Sequence, residues 1–395
     1  MMIQAVLSSP KHPEYGVATI PFPIPHDQYA HCMELLEALE IGDAVKTDCK
    51  VEKVDSFYTV LKRVEMLTVN VEELNYLAKR LDSFDTGEAA QFQAMAHKLE
   101  LFELKDLINL TFCCQQATVI TDFSDLAAVG RNHYMNLHGG SASVDELNAL
   151  DDKGIARQLI ESDSGKITPY GVVYDNGMKL EQIYDGRFFP CYYYEPNAIT
   201  VAVTSKAEPE DTEHITWLFL PMVQEEIDRA LLRGGITDPL EIRLSLEDSW
   251  LPHEVLDLLD MDHVDISELN ALVQALDEFS DMSIRKYAAA AVMARPHTTE
   301  QAKHLAENLD LFDFAPSAST PEEYGKYMIQ KSGRFEYDEN LDAFYDYEKY
   351  GTERMNEEDG MFTNRGYIAY KGFFHIEEVM NGSQNSRMEM GGLSR

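Results

Sequence analysis

Residues 69–84 read VNVEELNYLAKRLDSF, and residues 264–279 read VDISELNALVQALDEF. At a constant offset of 195, eight of the sixteen positions are identical, among them Glu73/Glu268, Leu74/Leu269, Asn75/Asn270, Leu81/Leu276 and Phe84/Phe279. Chance supplies about one such identity, so the chain repeats itself. Within the first block Leu74, Leu77 and Leu81 fall at i, i+3 and i+7, the single apolar stripe of an amphipathic helix. Glu73 and Asn75 stand at its entry, where acidic and capping residues favour a helix N-terminus.

The same offset carries outward. Phe92, Ala94 and Ala96 meet Tyr287, Ala289 and Ala291, while Thr168, Gly171 and Gly177 meet Thr363, Gly366 and Gly372. Upstream, with one residue of slippage, Pro25, Leu35 and Leu36 meet Pro221, Leu231 and Leu232. The expected organisation is two tandem copies, 1–190 and 197–380, joined through the aromatic stretch 188–196 and followed by a small polar tail, 381–395, expected to be disordered. Each copy opens with an alternating strand pattern (Ile3 to Leu7, Ile199 to Val203). A second strand and a proline follow, then helices, and the copy closes on glycine-bounded strands (Gly171 to Tyr174, Gly366 to Tyr370). This order predicts an α+β fold, with small antiparallel sheets and short helices in several subdomains, duplicated in tandem. It lacks the strand–helix alternation of a doubly wound sheet.

Composition narrows the function. The 395 residues include 69 Asp and Glu against 33 Lys and Arg, a formal charge of −36, with 45% apolar residues. Enough apolar side chains are present for a sizeable core. Such a charge repels nucleic acid and anionic membrane and attracts cationic partners, so no direct nucleic-acid or membrane binding is expected. Met1 to Ser9 holds no basic stretch and no long apolar run, so no secretory signal is expected, and the longest apolar run, Tyr287 to Ala294, is less than half a membrane span. The five cysteines have no ligand spacing, which reads as reduced thiols in a cytoplasmic protein.

No catalytic or metal motif is present. Ser164-Gly165-Lys166-Ile167-Thr168 lacks the earlier glycine of a phosphate loop and has Ile where the hydroxyl belongs, and no G-x-G-x-x-G occurs. His253-Glu254 opens like a zincin helix, but Asp257 takes the place of the second imidazole. Asp260, Asp262 and Asp265 lack the glycine and the closing glutamate of a calcium loop. Cys113-Cys114 sits in an apolar setting that suits a buried pair better than a nucleophile. The expectation is a protein that is not an enzyme and takes no cofactor or metal.

The acid is unevenly placed. Residues 1–200 carry 30 acidic against 16 basic side chains, a net of −14, and residues 201–395 carry 39 against 17, a net of −22. The dense stretches supply the candidate target-binding carboxylates: Glu208, Glu210, Asp211 and Glu213; Glu225, Glu226 and Asp228; Asp257, Asp260, Asp262, Asp265 and Glu268; and Asp338, Glu339, Asp342 and Asp346. Asp338, Asp342 and Asp346 stand four apart. On a helix they would line one face with Cβ atoms about 5–6 Å apart, over an inward stripe of Leu341, Phe344 and Tyr345. Duplex DNA carries one charge per ~1.7 Å of axis, so 36 charges match roughly 60 Å of duplex, about 18 base pairs. Carboxylates on a scaffold of that charge can meet the Lys and Arg that normally hold phosphates. Charge alone leaves open a surface that only maintains solubility.

Three segments go further. Val264-Asp265-Ile266-Ser267-Glu268-Leu269-Asn270, Tyr324-Gly325-Lys326-Tyr327-Met328 and Tyr345-Asp346-Tyr347-Glu348-Lys349-Tyr350-Gly351 resemble, in order and approximate spacing, the ArdA antirestriction family. Asp359-Gly360-Met361-Phe362-Thr363 with Gly366-Tyr367 is similar to that family's closing strands. The first copy is more divergent, keeping Glu73-Leu74-Asn75 and Gly171-Val172-Val173-Tyr174. The resemblance implies an elongated, curved α+β protein of small subdomains that mimics DNA and occupies the DNA groove of type I restriction–modification enzymes, commonly as a homodimer. A tandem duplication departs from that pattern, because two units in one chain either replace the homodimer or lengthen it. Three other readings stay open: a mimic directed at a CRISPR effector or another defence nuclease, a general acidic adaptor or chaperone for basic proteins, and an enzyme whose site no motif marks.

Overall fold

The computed structural model describes residues 3–162, 165–192, 198–207, 211–238, 241–259, 263–316 and 318–382. The chain divides into two compact units. One comprises Met1–Glu195 with His214–Trp217 and Val223–Thr237, and the other Pro196–Glu213 with Leu218–Met222 and Asp238–Arg395. The architecture is α+β, with four small antiparallel sheets and many short helices.

In the first unit, strands Ile3–Ser8, Val17–Phe22, Cys49–Asp55 and Thr68–Val69 form a sheet in the order second, first, third, fourth. Ile3, Ala5 and Leu7 are fully buried on one side of the first strand, as the period of two requires. They join one core with Leu74, Leu77 and Leu81 of the helix Val71–Asp82, so the repeated stripe faces the sheet. The cap of that helix is Asn70, whose side chain accepts from the Glu73 amide at 3.1 Å, and not Asn75. Asn75 lies inside the helix and is buried. Its Oδ1 accepts from the Ile24 amide at 2.8 Å, just after the cis bond Phe22-Pro23.

The second unit follows the same plan. Strand Ile199–Ser205 lies between Ile242–Ser249 and Thr216–Leu220. The helix Ile266–Leu276 buries Leu269, Leu272 and Leu276. Asn270 takes the role of Asn75: Oδ1 accepts from the Met222 amide at 2.9 Å and Nδ2 donates to the Met222 carbonyl at 2.8 Å. Met222 likewise follows a cis bond, Leu220-Pro221. The structural partner of Pro221 is thus Pro23, two residues before the proline the sequence alignment selects.

Both units close alike. Strands Thr118–Ile120, Gly171–Tyr174 and Lys166–Thr168 form a sheet with Gly171–Tyr174 central, and Phe312–Pro316, Gly366–Tyr370 and Met361–Thr363 form one with Gly366–Tyr370 central. In each closing hairpin the threonine hydroxyl donates to the carbonyl of the glycine three residues on, Thr168 to Gly171 and Thr363 to Gly366, both at 2.8 Å. Gly171 has φ +126° and a Cβ there would lie 2.7 Å from the Ile120 carbonyl oxygen, which explains the repeated glycine.

The helix Gln224–Gly234, placed by the sequence in the second copy, counts with the first unit. Arg233 is buried there. It donates to the carbonyls of Ala44 at 2.8 Å, Arg187 at 2.9 Å and Gly186 at 3.2 Å, and to Asn70 Oδ1 at 3.0 Å. Its guanidinium also bonds the Tyr184 hydroxyl and lies 4.4 Å from the Phe189 ring centroid. Arg229 binds Glu72 at 2.6 Å and the Gly42 carbonyl at 2.7 Å. Among the described residues no helix is long and apolar enough to cross a membrane.

Candidate target-binding surface

The carboxylates chosen from sequence fall into three settings. Glu208, Glu210, Asp260 and Asp262 lie outside the described residues, as do 193–197 of the expected junction and 383–395 of the expected tail. Glu225, Glu226 and Asp228 sit on the helix of the first unit just described. There Glu226 is taken by Lys79 at 3.3 Å, and Asp228 receives the Gln224 side-chain amide at 2.8 Å. Glu225 lines a cavity of about 680 Å³ with Glu37, Glu40, Asp43, Asp48 and Arg229.

Asp211, Glu213, Asp257, Asp265, Glu268, Asp338, Glu339, Asp342 and Asp346 belong to the second unit. Glu213 and Asp257 are exposed, and Asp211 accepts from the Glu213 amide at 2.9 Å. Asp265 caps the helix Ile266–Leu276, accepting from the amides of Ser267 at 2.8 Å and Glu268 at 3.2 Å. Glu268 is exposed and accepts from the Thr299 hydroxyl at 2.6 Å.

Asp338, Asp342 and Asp346 do not form the helical ridge expected of them. Glu339–Phe344 is a 3₁₀ helix and an α-helix begins only at Tyr347, so the four-residue spacing never becomes one face. Asp338 caps the 3₁₀ segment through the Asn340 amide at 2.9 Å, and Asp346 caps the helix Tyr347–Glu358 through the Lys349 amide at 3.0 Å. Asp342 instead turns inward: its Oδ1 accepts from the hydroxyls of Tyr337 and Tyr347, both at 2.6 Å, and from Gln330 Nε2 at 2.9 Å. The Tyr337 bond, then the Tyr347 bond, hold this carboxyl below its ordinary range. The expected inward stripe is reversed, with Phe344 84% and Leu341 47% exposed. Three donors converging on one carboxylate outweigh the burial of two apolar side chains in so short a turn.

Several exposed acids escape the sequence selection. Glu322 and Glu323 stand in the first turn of the helix Pro321–Gln330, and Glu348, Glu353 and Glu357 on the exposed side of Tyr347–Glu358. The signal was available, because Tyr347 and Gly351 mark the buried side of that helix and leave Glu348, Glu353 and Glu357 off it.

Several of the second unit's cations are already engaged. Arg334 and Lys371 both bind Asp313, at 2.7 and 3.2 Å. Arg365 grips Glu254 with bonds of 2.7 and 3.0 Å. Arg354 pairs with Glu357 at 3.1 Å and with Glu358. Burial would raise the Glu254 carboxyl, but the Arg365 bond with others overrides it and leaves it at about 2. Asp257, Glu322, Glu339, Glu348 and Glu353 are exposed, and the ion pairs of Arg334, Arg354, Arg365 and Lys371 go to other carboxylates.

Arrangements that suggest chemistry are spoken for. In the cavity of the first unit Asp43 is bound by Lys46 at 2.6 Å, which holds it at about 2, and Asp48 accepts from the amides of Gly42 and Asp43 at 3.0 and 3.1 Å. Cys113 and Cys114 are buried, and that burial pushes both thiols up, away from reactivity. Among the described residues no group of three or more His, Cys, Asp and Glu side chains is placed to hold a metal ion.

Fold and surface define an acidic two-unit α+β protein whose exposed charged groups in the second unit are mostly carboxylates. Over residues 212–369 the chain matches the family model of the antirestriction protein ArdA. No curated protein matches it.

Proposed function

We propose that this protein inhibits a type I restriction–modification enzyme by lying in its DNA-binding groove as a non-catalytic mimic of B-form DNA, acting in the cytoplasm without a cofactor. The observation that carries the reading is a set of carboxylates on the second unit that are at once outward-facing and held by the backbone. Asp265, Asp338 and Asp346 are each held by main-chain amides at the start of a helical segment. A carboxylate fixed in this way resembles a phosphate on a duplex more closely than one on a free side chain, because less rotamer entropy is lost on binding. The net charge of −36 supplies the long-range attraction to a cationic groove.

The reading is tested by displacing a labelled duplex from a purified type I restriction enzyme with this protein at low and high salt. Competitive displacement that weakens as salt rises is the expected result. An enzyme that keeps its DNA at saturating inhibitor overturns the restriction target. Displacement from any basic protein offered, without preference, favours the general acidic adaptor.

A further inference from the structure

Apolar side chains project from the second unit where its acid is dense. Phe344 is 84% exposed and Leu341 47%. Residues three apart eclipse on a 3₁₀ helix, so within Glu339–Phe344 these two share one face. The turn is not free to fold them away. Asp342, a third of a turn round, is clamped by Tyr337, Tyr347 and Gln330 through the three bonds given above. Exposed apolar residues are ordinary when scattered singly, but two on one pinned face, in a stretch that also exposes the acids Glu336, Asp338, Glu339 and Asp346, form a patch that asks for a partner.

The repeat shows that the fold does not require them. In the first unit the connection between the helices Leu126–Leu137 and Asp152–Ser162 has Glu146 and Ala149 at the positions of Leu341 and Phe344. That connection closes on a short helix with a Ser143/Glu146 capping box. The same fold is thus completed without large apolar side chains at those two positions, although that connection exposes Val144 elsewhere.

We propose that Leu341 and Phe344 are an apolar anchor that enters a nonpolar pocket rimmed by Lys and Arg on the DNA-binding protein this chain inhibits. The inference rests on the mimic reading and deepens it. The exposed carboxylates of the same stretch select the occupant, since a basic rim is attracted where a second copy of this chain would bring acid against acid. A duplex offers no side chain of this kind beyond its phosphates. The anchor therefore supplies target selectivity, and a part of the affinity that salt does not screen, because apolar burial is not an ionic interaction.

The test uses the full chain and displacement of a labelled duplex from a purified type I restriction enzyme at two salt concentrations. The double variant Leu341→Ser/Phe344→Ser is expected to lose about tenfold or more in displacement, by the same factor at both salts. The variant Asp338→Asn/Asp346→Asn, which keeps side chains able to cap, loses more at low salt than at high salt. A near-ultraviolet circular dichroism spectrum and urea midpoint of the double variant that match the parent's separate anchor loss from misfolding. A double variant as potent as the parent overturns the anchor and leaves the mimic standing, whereas a parent that displaces nothing overturns both. A parent dimer that the double variant converts to a monomer in sedimentation overturns it too, by making a second copy the occupant.

Discussion

Gly325 packs against the carbonyl of Tyr347 so closely that a Cβ on the glycine would lie 2.0 Å from that oxygen. The facing helix answers in kind, since a Cβ on Gly351 would lie 1.9 Å from the Pro321 carbonyl oxygen. The two helices cross backbone to backbone, and the tyrosines beside these glycines, Tyr324 and Tyr350, pack in or against the small core below. In the first unit Gly130 stands in the same relation to the Asp152 carbonyl, at 1.8 Å. Two of the segments that resemble the ArdA family are therefore packing devices. Gly325→Ala or Gly351→Ala should destabilise the second unit by about 3 kcal/mol or more, because backbone rather than a flexible side chain must give way. Urea unfolding followed by near-ultraviolet circular dichroism checks this, and a midpoint like the parent's contradicts it.

Asn270→Ala leaves the buried Met222 amide without its acceptor. The Met222 carbonyl keeps the Gln274 side-chain amide at 3.2 Å, so one orphaned group sets the cost. A loss of about 1–3 kcal/mol is expected in urea unfolding.

Arg233→Met tests the buried cation of the first unit. It strips donors from the carbonyls of Ala44, Gly186 and Arg187 and leaves Glu73, 3.7 Å away, without its countercharge. Burial already raises the Glu73 carboxyl, and the loss should deepen that. A destabilisation of about 3–5 kcal/mol is predicted, read as a lower unfolding midpoint.

The Glu254–Arg365 pair makes a pH prediction. The folded carboxyl titrates at about 2, below its ordinary 4.5. Its stabilisation is therefore complete above that ordinary value and is lost as pH falls from there toward about 2. Glu254→Gln should lower stability at neutral pH and lose that part of the acid dependence. Urea midpoints for both proteins across the acid range should converge as pH falls, and parallel curves would contradict the assignment.

Much of the scaffold was legible in the sequence, for physical reasons. The stripe Leu74, Leu77, Leu81 and its repeat need only local periodicity, and the closing strands Gly171–Tyr174 and Gly366–Tyr370 begin at glycines whose backbone no other residue adopts easily. The inward turn of Asp342 was not legible, because its donors Gln330, Tyr337 and Tyr347 come from three separate segments and no spacing rule links them. Nor was the place of Gln224–Gly234, since Arg229 and Arg233 bind main-chain carbonyls of Gly42 and Ala44, groups that every residue carries. For the surface, the sequence offered only the density of acid. It did not separate outward carboxylates such as Asp257 from those already held by a cation, such as Glu226 and Glu254.

The central claim is that this protein and duplex DNA compete for one cationic groove. The most direct measurement is calorimetric affinity for a purified type I restriction enzyme, with and without saturating duplex, between about 50 and 200 mM salt. The account predicts an affinity whose logarithm falls steadily with the logarithm of salt, and no detectable binding once duplex fills the enzyme. A ternary complex of enzyme, duplex and this protein, or an affinity indifferent to salt, would contradict it.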